Sequence, residues 1–321
     1  MQRLPSFGAD YILKGHITMN NEQKGMLAAS VAYIIFGFSY LFSKMAMEVT
    51  EPMILLASRF TVTFLVLNLL VFTRVLKLNL KGKSLLGPIL IGIIQPVLYF
   101  IFENYGLKYT TTSFTGMISA ISPIFTAVLG ALMLRERPNV KQWIGIVVSI
   151  AGVMMVSLGS TGGESQNTPF GCICLLLAYF LGSFYSLMIR KFSRTFSAFE
   201  LTYVMFTVGF IFFVILAFVQ YGGTTFPMIG EALTHGKFIL AILYLGAGAS
   251  VGAYMLANYS LAKLPVARST IFANLSTVVS VLSGVIIMGD DFTWVSAAAF
   301  VLIMAGIWAV NKFRDESEAD A

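Results

Sequence analysis

Three charged side chains interrupt long apolar stretches in the first third of the chain: Lys44, Arg59 and Glu103. Each is the only acid or base in its own stretch, 25–47, 52–73 and 86–106 respectively. A charge held in an apolar medium costs several kcal/mol unless it is paired or hydrated, so residues of this kind default to function. An arginine and a carboxylate on neighbouring elements can form an ion pair that opens and closes, or can offer opposite charges to a small solute. Arg59 lies seven residues beyond Pro52, about 10 Å along a helix at 1.5 Å per residue. Glu103 and Lys44 each lie about three residues from the end of a stretch. All three then fall in the same half of the layer that the stretches cross. This arrangement suits a gate or substrate site in which Glu103 pairs with Arg59 or Lys44 in one state. The structural alternatives are a permanent salt bridge and, preferred for Lys44, a side chain reaching out to the interface.

Uncharged polar groups form a second set: Asn104, Asn258 and Asn274, with Ser119, Ser122, Ser276 and Ser280. An asparagine in an apolar stretch needs partners, from neighbouring helices or from a hydrated cavity. Asn274 falls near the middle of its stretch and is the midplane candidate, for site or packing alike. Asn104 and Asn258 are candidates for substrate contact, but their place at helix ends favours C-terminal capping. Tyr33, Phe36 and Tyr40 share one helical face, and Tyr99 and Phe102 another. Such rings can wall a site by stacking or cation–π contact, or simply fill a core. Tyr33 has an echo in Tyr179. Pro123 removes a backbone donor in mid-stretch and is a candidate hinge.

Enzyme and cofactor motifs fail on inspection. Lys81-Gly82-Lys83-Ser84 resembles the end of a phosphate loop, but Lys77 stands where the upstream glycine is required. Gly246-Ala247-Gly248 lies inside an apolar stretch, where a dinucleotide fingerprint does not occur. His16 and His235 have no metal-ligand spacing, and Cys172 and Cys174 share one apolar segment. No enzyme, cofactor or metal is expected. The net charge of +6 does not imply nucleic acid, because the basic residues sit in short loops.

The elements that must position these groups follow from composition. Of 321 residues, 57% are hydrophobic and 11% charged, against a usual charged share of about a quarter; a soluble domain could not cover its surface. Ten stretches approach the roughly 20 residues of a membrane-crossing helix: 25–47, 52–73, 86–106, 111–133, 140–159, 169–190, 197–219, 237–259, 266–288 and 292–312. Turn residues or charges divide them, as at Glu51-Pro52, Arg137-Pro138-Asn139, Gly162-Gly163-Glu164 and Asp290-Asp291. With a cytoplasmic N-terminus, 17 of the 21 basic residues fall inside, as the positive-inside rule requires. The inner set runs from Arg3, Lys14 and Lys24 through Arg135, Arg137 and Arg268 to Arg314. Residues 1–18 lack the apolar core of a signal peptide, and Met19 is a second candidate start.

The chain also repeats itself. Asn104-Tyr105-x-Leu107 and Asn258-Tyr259-x-Leu261 stand 154 residues apart. The same offset superposes Gly92 on Gly246, Ser122 on Ser276, Gly130 on Gly284, and Ala151-Gly152 on Ala305-Gly306, without a gap. Glu136 meets Asp290 in kind. An offset of 146 aligns the earlier stretches: Gly25 with Gly171, Tyr33 with Tyr179, and Phe60-Thr61 with Phe206-Thr207. It also sets Lys44 against Arg190. Each copy holds five spans, an odd number, so equivalent helices cross in opposite senses. The fold expected is an all-α integral membrane protein of ten transmembrane helices, built as two five-helix inverted-topology repeats. The repeats are 25–159 and 169–312, flanked by a cytoplasmic tail 1–24, an external linker 160–168 and an acidic tail 313–321.

The pattern resembles the ten-helix branch of the drug/metabolite transporter superfamily, with two EamA-type domains. The resemblance rests on Pro52 with Arg59, Asn104-Tyr105-x-Leu107-x-x-Thr110, Pro123, Leu134-x-Glu136, Gly145 and Ala151-Gly152-Val153. The second copy is looser: Thr277 replaces a proline and Gly289-Asp290 a Gly-Glu. It implies secondary transport or export of a small metabolite, often an amino acid, by alternating access at a midplane site. Alternatives are a multidrug or quaternary-amine exporter and a non-transporting membrane protein. The expected partners are a small-molecule substrate, the lipid bilayer and, as a candidate coupling ion, protons. A monomer or homodimer in the cell membrane with both termini cytoplasmic is expected.

Overall fold

Helices begin where a polar cap or a proline meets an apolar run. Asn20 Oδ1 accepts from Gln23 N at 2.8 Å while Asn20 N donates to Gln23 Oε1 at 2.9 Å, a reciprocal cap that opens α1, Asn21–Met47. Pro52 opens α2, Pro52–Phe72, at a position where its missing N–H costs nothing. Thr111 and Thr168 cap the following helices through their hydroxyls, and Ser197 with Glu200 forms a second reciprocal cap. The computed structural model describes residues 20–134, 140–159, 167–264 and 272–319. Outside the described residues lie Arg3, Lys14, His16, Met19, Arg135, Glu136, Arg137, the 160–166 part of the linker, Arg268 and residues 320–321.

The remaining elements are α3 (Leu86–Lys108), α4 in two pieces (Thr112–Ser119 and Ser122–Leu134), α5 (Val140–Gly159), α6 (Pro169–Phe192) and α7 (Ala198–Tyr221). A short helix, Thr225–Ala232, leads to α8 (Gly236–Lys263), α9 (Ala273–Met288) and α10 (Trp294–Ala319). Among the described residues there is no strand. Among the described residues, seven helices are long and apolar enough to cross a membrane, namely α1–α4 and α6–α8. Three shorter apolar helices, Trp143–Met155, Ala273–Met288 and Trp294–Ala309, accompany them. The acidic stretch after position 312 continues α10 as helix to Ala319 rather than leaving it at Lys312.

Three helices are locally widened. In α3 the wide turn Ile93–Leu98 contains Pro96, which lacks the N–H that a regular turn uses, and Gln95 leaves the helical region at φ −141°, ψ 114°. In α8 the wide turn is Tyr244–Ala253, a run of glycine, alanine and serine, and in α9 it is Gly284–Met288. The helix α4 breaks at Ala120-Ile121, directly before Ser122-Pro123.

Close contacts recur at the two sequence offsets. A methyl on Gly92 would stand 3.1 Å from Val208 Cβ and 3.3 Å from Met205 Cα; on Gly246 it would stand 2.7 Å from Val62 Cγ1 and 3.1 Å from the Arg59 carbonyl oxygen. Val62 and Arg59 are the residues that the offset of 146 aligns with Val208 and Met205. In the same way Gly152 packs on Ile303 and Ala299, while Gly306 packs on Ser149 and Gly145. Small residues thereby let helix backbones approach where lipid supplies no hydrophobic drive. Between α2, α3 and α7 the gap is filled by rings: Phe60 lies 5.3 Å from Phe206, 4.7 Å from Phe213 and 5.5 Å from Phe100, centroid to centroid.

The α5–α10 contact gives a direct check. Gly306→Val must push α10 away from α5 and is expected to lower stability by about 1–3 kcal/mol. The outward-facing Ala305→Val serves as control, and thermal unfolding in detergent measures both.

Candidate functional site

The interior groups converge on one cavity of about 120 Å³. Tyr33, Phe36 and Tyr40 enter it from α1, Arg59 from α2, and Gln95, Tyr99, Phe100 and Glu103 from α3. Ser119 and Ser122 of α4, Tyr179, Gly182 and Tyr185 of α6, Tyr254 and Ala257 of α8, and Ala273 and Ser276 of α9 complete the wall.

Arg59 is 2% exposed. Its Nε donates to Ser250 Oγ at 3.0 Å, and its guanidinium carbon lies 4.2 Å from the centre of the Phe100 ring. Thr63 Oγ1 ties the adjoining backbone together by donating to the carbonyls of Arg59 and Gly246. The wide turn of α8 therefore supplies both the hydroxyl and the close approach that hold the arginine. Its two terminal nitrogens meet no hydrogen-bond acceptor among the described residues, so their N–H groups remain available to the cavity.

Glu103 is also buried, and its Oε1 accepts from Tyr99 OH, one turn earlier, at 2.6 Å. Neither a hydrogen bond nor an ion pair joins Glu103 to Arg59. The cavity thus presents a cation and a carboxyl group as separate poles, with tyrosine hydroxyls and ring faces between them. No group of three or more His, Cys, Asp or Glu side chains among the described residues could hold a metal ion.

Charged and polar side chains thus line an interior cavity in a bundle of apolar helices, and comparison with known proteins names the kind of protein. The model of the EamA-like transporter family matches this chain twice, over residues 23–158 and 169–312. The chain belongs to the EamA-like transporter family. It is therefore a multi-pass membrane transporter of the drug/metabolite transporter superfamily. It is 32% identical to the uncharacterized transporter YcxC of Bacillus subtilis, across 91% of this chain and 95% of the relative. It is 25% identical to the uncharacterized transporter YetK of the same organism, across 96% and 93%. A solved crystal structure shares the fold, with a TM-score of 0.65 at 19% identity over 90% of this chain and 98% of that one.

Within this EamA-like transporter, ten of the residues singled out from sequence line the cavity: Tyr33, Phe36, Tyr40, Arg59, Tyr99, Glu103, Ser119, Ser122, Tyr179 and Ser276. The three asparagines do not. Asn104 is buried and donates to the Phe100 carbonyl of its own helix at 3.0 Å, so it does not cap the helix end. Asn258 is not a cap either: it accepts from Tyr185 OH at 2.5 Å and donates to Thr202 Oγ1 at 3.0 Å, joining α6, α7 and α8. Both sit one turn or more before the last carbonyls; Asn104 bonds back along its own helix, and Asn258 finds its partners on neighbouring helices. Asn274 lies between the wall residues Ala273 and Ser276 without joining the wall, and its Oδ1 is buried without a partner. Pro123 sits just past the break in α4, outside the wall.

The capping work falls to the cations. Lys44 Nζ donates to the carbonyls of Leu107 at 2.9 Å and Thr110 at 2.5 Å, closing the end of α3, rather than reaching out to the interface or pairing with Glu103. Arg190, its counterpart at the offset of 146, donates to the Leu264 carbonyl at 3.1 Å. Leu264 is in turn the residue that the offset of 154 aligns with Thr110.

Four contributors escaped the sequence reading: Gln95, Tyr185, Ser250 and Tyr254. Gln95 carried a usable signal, an amide beside a proline in an apolar run. The others did not, because a serine or tyrosine in a span is ordinary until its partner is known. Lys44→Met removes a donor from two carbonyls, of which Leu107 keeps the Thr110 N–H, and is expected to cost about 1–3 kcal/mol of stability. Arg190→Met removes one such bond and is expected to cost less. Thermal unfolding of the two variants in detergent, free of any solute, gives the comparison.

Proposed function

We propose that this transporter is a secondary carrier for a small organic solute bearing both a carboxylate and a protonated amine, of the amino-acid class. It works by alternating access around the cavity that Arg59 and Glu103 share. The observation that carries the reading is the placement of these two groups: opposite in charge, buried in one cavity, and not joined to each other. A guanidinium fork suits a carboxylate, and a carboxylate suits an ammonium. A zwitterion answers both at once.

The architecture proposed is ten transmembrane helices in two inverted five-helix repeats, with Pro123 as a hinge in the first. Support comes from the gap-free sequence register, from the family model matching each half, and from contacts that recur at the same offsets. The wide turn of α3 also falls, at the offset of 154, inside the wide turn of α8. Two wide turns at aligned positions beside one cavity suit a carrier that must open to either face. The bias of 17 basic residues to one side supports both termini in the cytoplasm and a place in the cell membrane.

Counterflow in proteoliposomes tests this reading, with labelled alanine, threonine, leucine, phenylalanine and an amine panel, under an imposed pH gradient. Wild type is expected to exchange at least one amino acid, and Arg59→Gln to lose tenfold or more of that exchange, about 1.4 kcal/mol or more. If the gradient drives uptake only when Glu103 is present, and not in Glu103→Gln, coupling is to protons through that residue. Exchange indifferent to both makes the protein a facilitator. Absence of counterflow for every solute overturns the carrier reading.

A further inference from the structure

One polar atom of the cavity wall is buried and unanswered. Gln95 is 5% exposed, and its Nε2 donates to Tyr254 OH on α8, which fixes the plane of the amide. Its Oε1 has no hydrogen-bond partner. Gln95 lines the cavity, and its Oε1 lies 3.7 Å from where a Cβ on the wall residue Gly182 would stand, a position that also comes within 3.1 Å of Tyr99 Cε2. A buried carbonyl oxygen without a donor is rare in folded proteins and calls for an explanation. Among the described residues no donor answers it.

An amide oxygen only accepts hydrogen bonds, so its ligand must bring an N–H or O–H. On the carrier reading above, which this inference rests on, the solute brings an ammonium group near Glu103. A primary ammonium has three N–H donors and can serve Glu103 and Gln95 together. A trimethylated ammonium has none. The tyrosine and phenylalanine rings of the wall attract both kinds of cation, and such rings are the usual means of binding quaternary amines. The rings and Glu103 therefore do not discriminate; Gln95 does. We propose that Gln95 Oε1 is the specificity-determining acceptor that makes this carrier select amines bearing N–H over quaternary ammonium compounds. A site that must hydrogen-bond its substrate rejects an analogue lacking the donor far more strongly than a purely apolar pocket does.

The test uses whichever amino acid of the panel wild type exchanges fastest. Its counterflow is inhibited with the same amino acid unlabelled and with its N,N,N-trimethyl derivative. In wild type the trimethyl form is expected to need at least about tenfold more for half-inhibition. Gln95→Met keeps the length of the side chain but offers no comparable acceptor, and is expected to bring the ratio within about threefold. Gln95→Glu restores an acceptor oxygen on the same stem and is expected to keep the preference. Because the ratio is taken within one protein, partial loss of folded carrier does not move it. Should Gln95→Met yield no flux, Gly182→Ala, whose methyl would lie 3.7 Å from Oε1 and 3.1 Å from Tyr99 Cε2, is expected to narrow the ratio instead. A wild type that accepts the trimethyl form equally, or a ratio untouched by these variants, overturns the assignment of Gln95 while leaving the carrier intact. No exchange of any amino acid by wild type overturns the amino-acid reading and this inference with it.

Discussion

A guanidinium kept inside an apolar bundle is the constraint around which the rest is arranged. Arg59 has almost no exposed surface, and an arginine cannot shed its charge. The fold must therefore bring polar or polarizable groups to it. It does so by approach of backbones: Gly246 lets α8 touch α2 at the Arg59 carbonyl, and Ser250 four residues later receives the Nε hydrogen. Phe100 from α3 offers its ring face to the cation. Gly246 and Ser250 both belong to the wide turn of α8, and Phe100 follows two residues after the wide turn of α3. What remains unmatched on the arginine faces the cavity.

Two kinds of order coexist in the bundle. The scaffold repeats: Gly92 and Gly246 press on aligned residues, Gly152 and Gly306 sit in one reciprocal crossing, and Lys44 and Arg190 each close a helix end. The chemistry does not repeat. Met205 stands opposite Arg59 in the alignment, Ala257 opposite Glu103 and Ala249 opposite Gln95. Packing that recurs in both halves is indifferent to which face a motion favours, whereas a cation and a carboxyl drawn from one half define a single site.

How much of this was legible follows from what kind of signal each residue carried. The helices were readable because a crossing length of apolar residues has few other uses, and Pro52, Pro123 and Thr168-Pro169 mark starts or breaks by their missing N–H groups. Arg59 and Glu103 announced themselves by desolvation cost alone, and both reached the cavity. The asparagines misled because position along a helix was the only guide. Asn258 is decided instead by Tyr185 and Thr202, which come from helices remote in sequence. Lys44 misled for the same reason: nothing in its own segment reveals the carbonyls of Leu107 and Thr110. Gln95 had no aligned polar partner, so the repeat that exposed other positions passed over it.

The separation of Arg59 from Glu103 has an energetic logic of its own. A buried pair in contact offsets its own desolvation and leaves little for a third party; breaking it strands both charges. Here each pole is held by neutral partners, Ser250 and Phe100 on one side and Tyr99 on the other. Those contacts fix direction without saturating either group. A lone anion or a lone cation entering such a cavity satisfies one pole and loses its own water against the other. On the proposed reading, a zwitterion is the solute whose two dehydrated ends are both met, and whose net charge is zero. The neutral partners are then what make the poles bind a solute instead of each other.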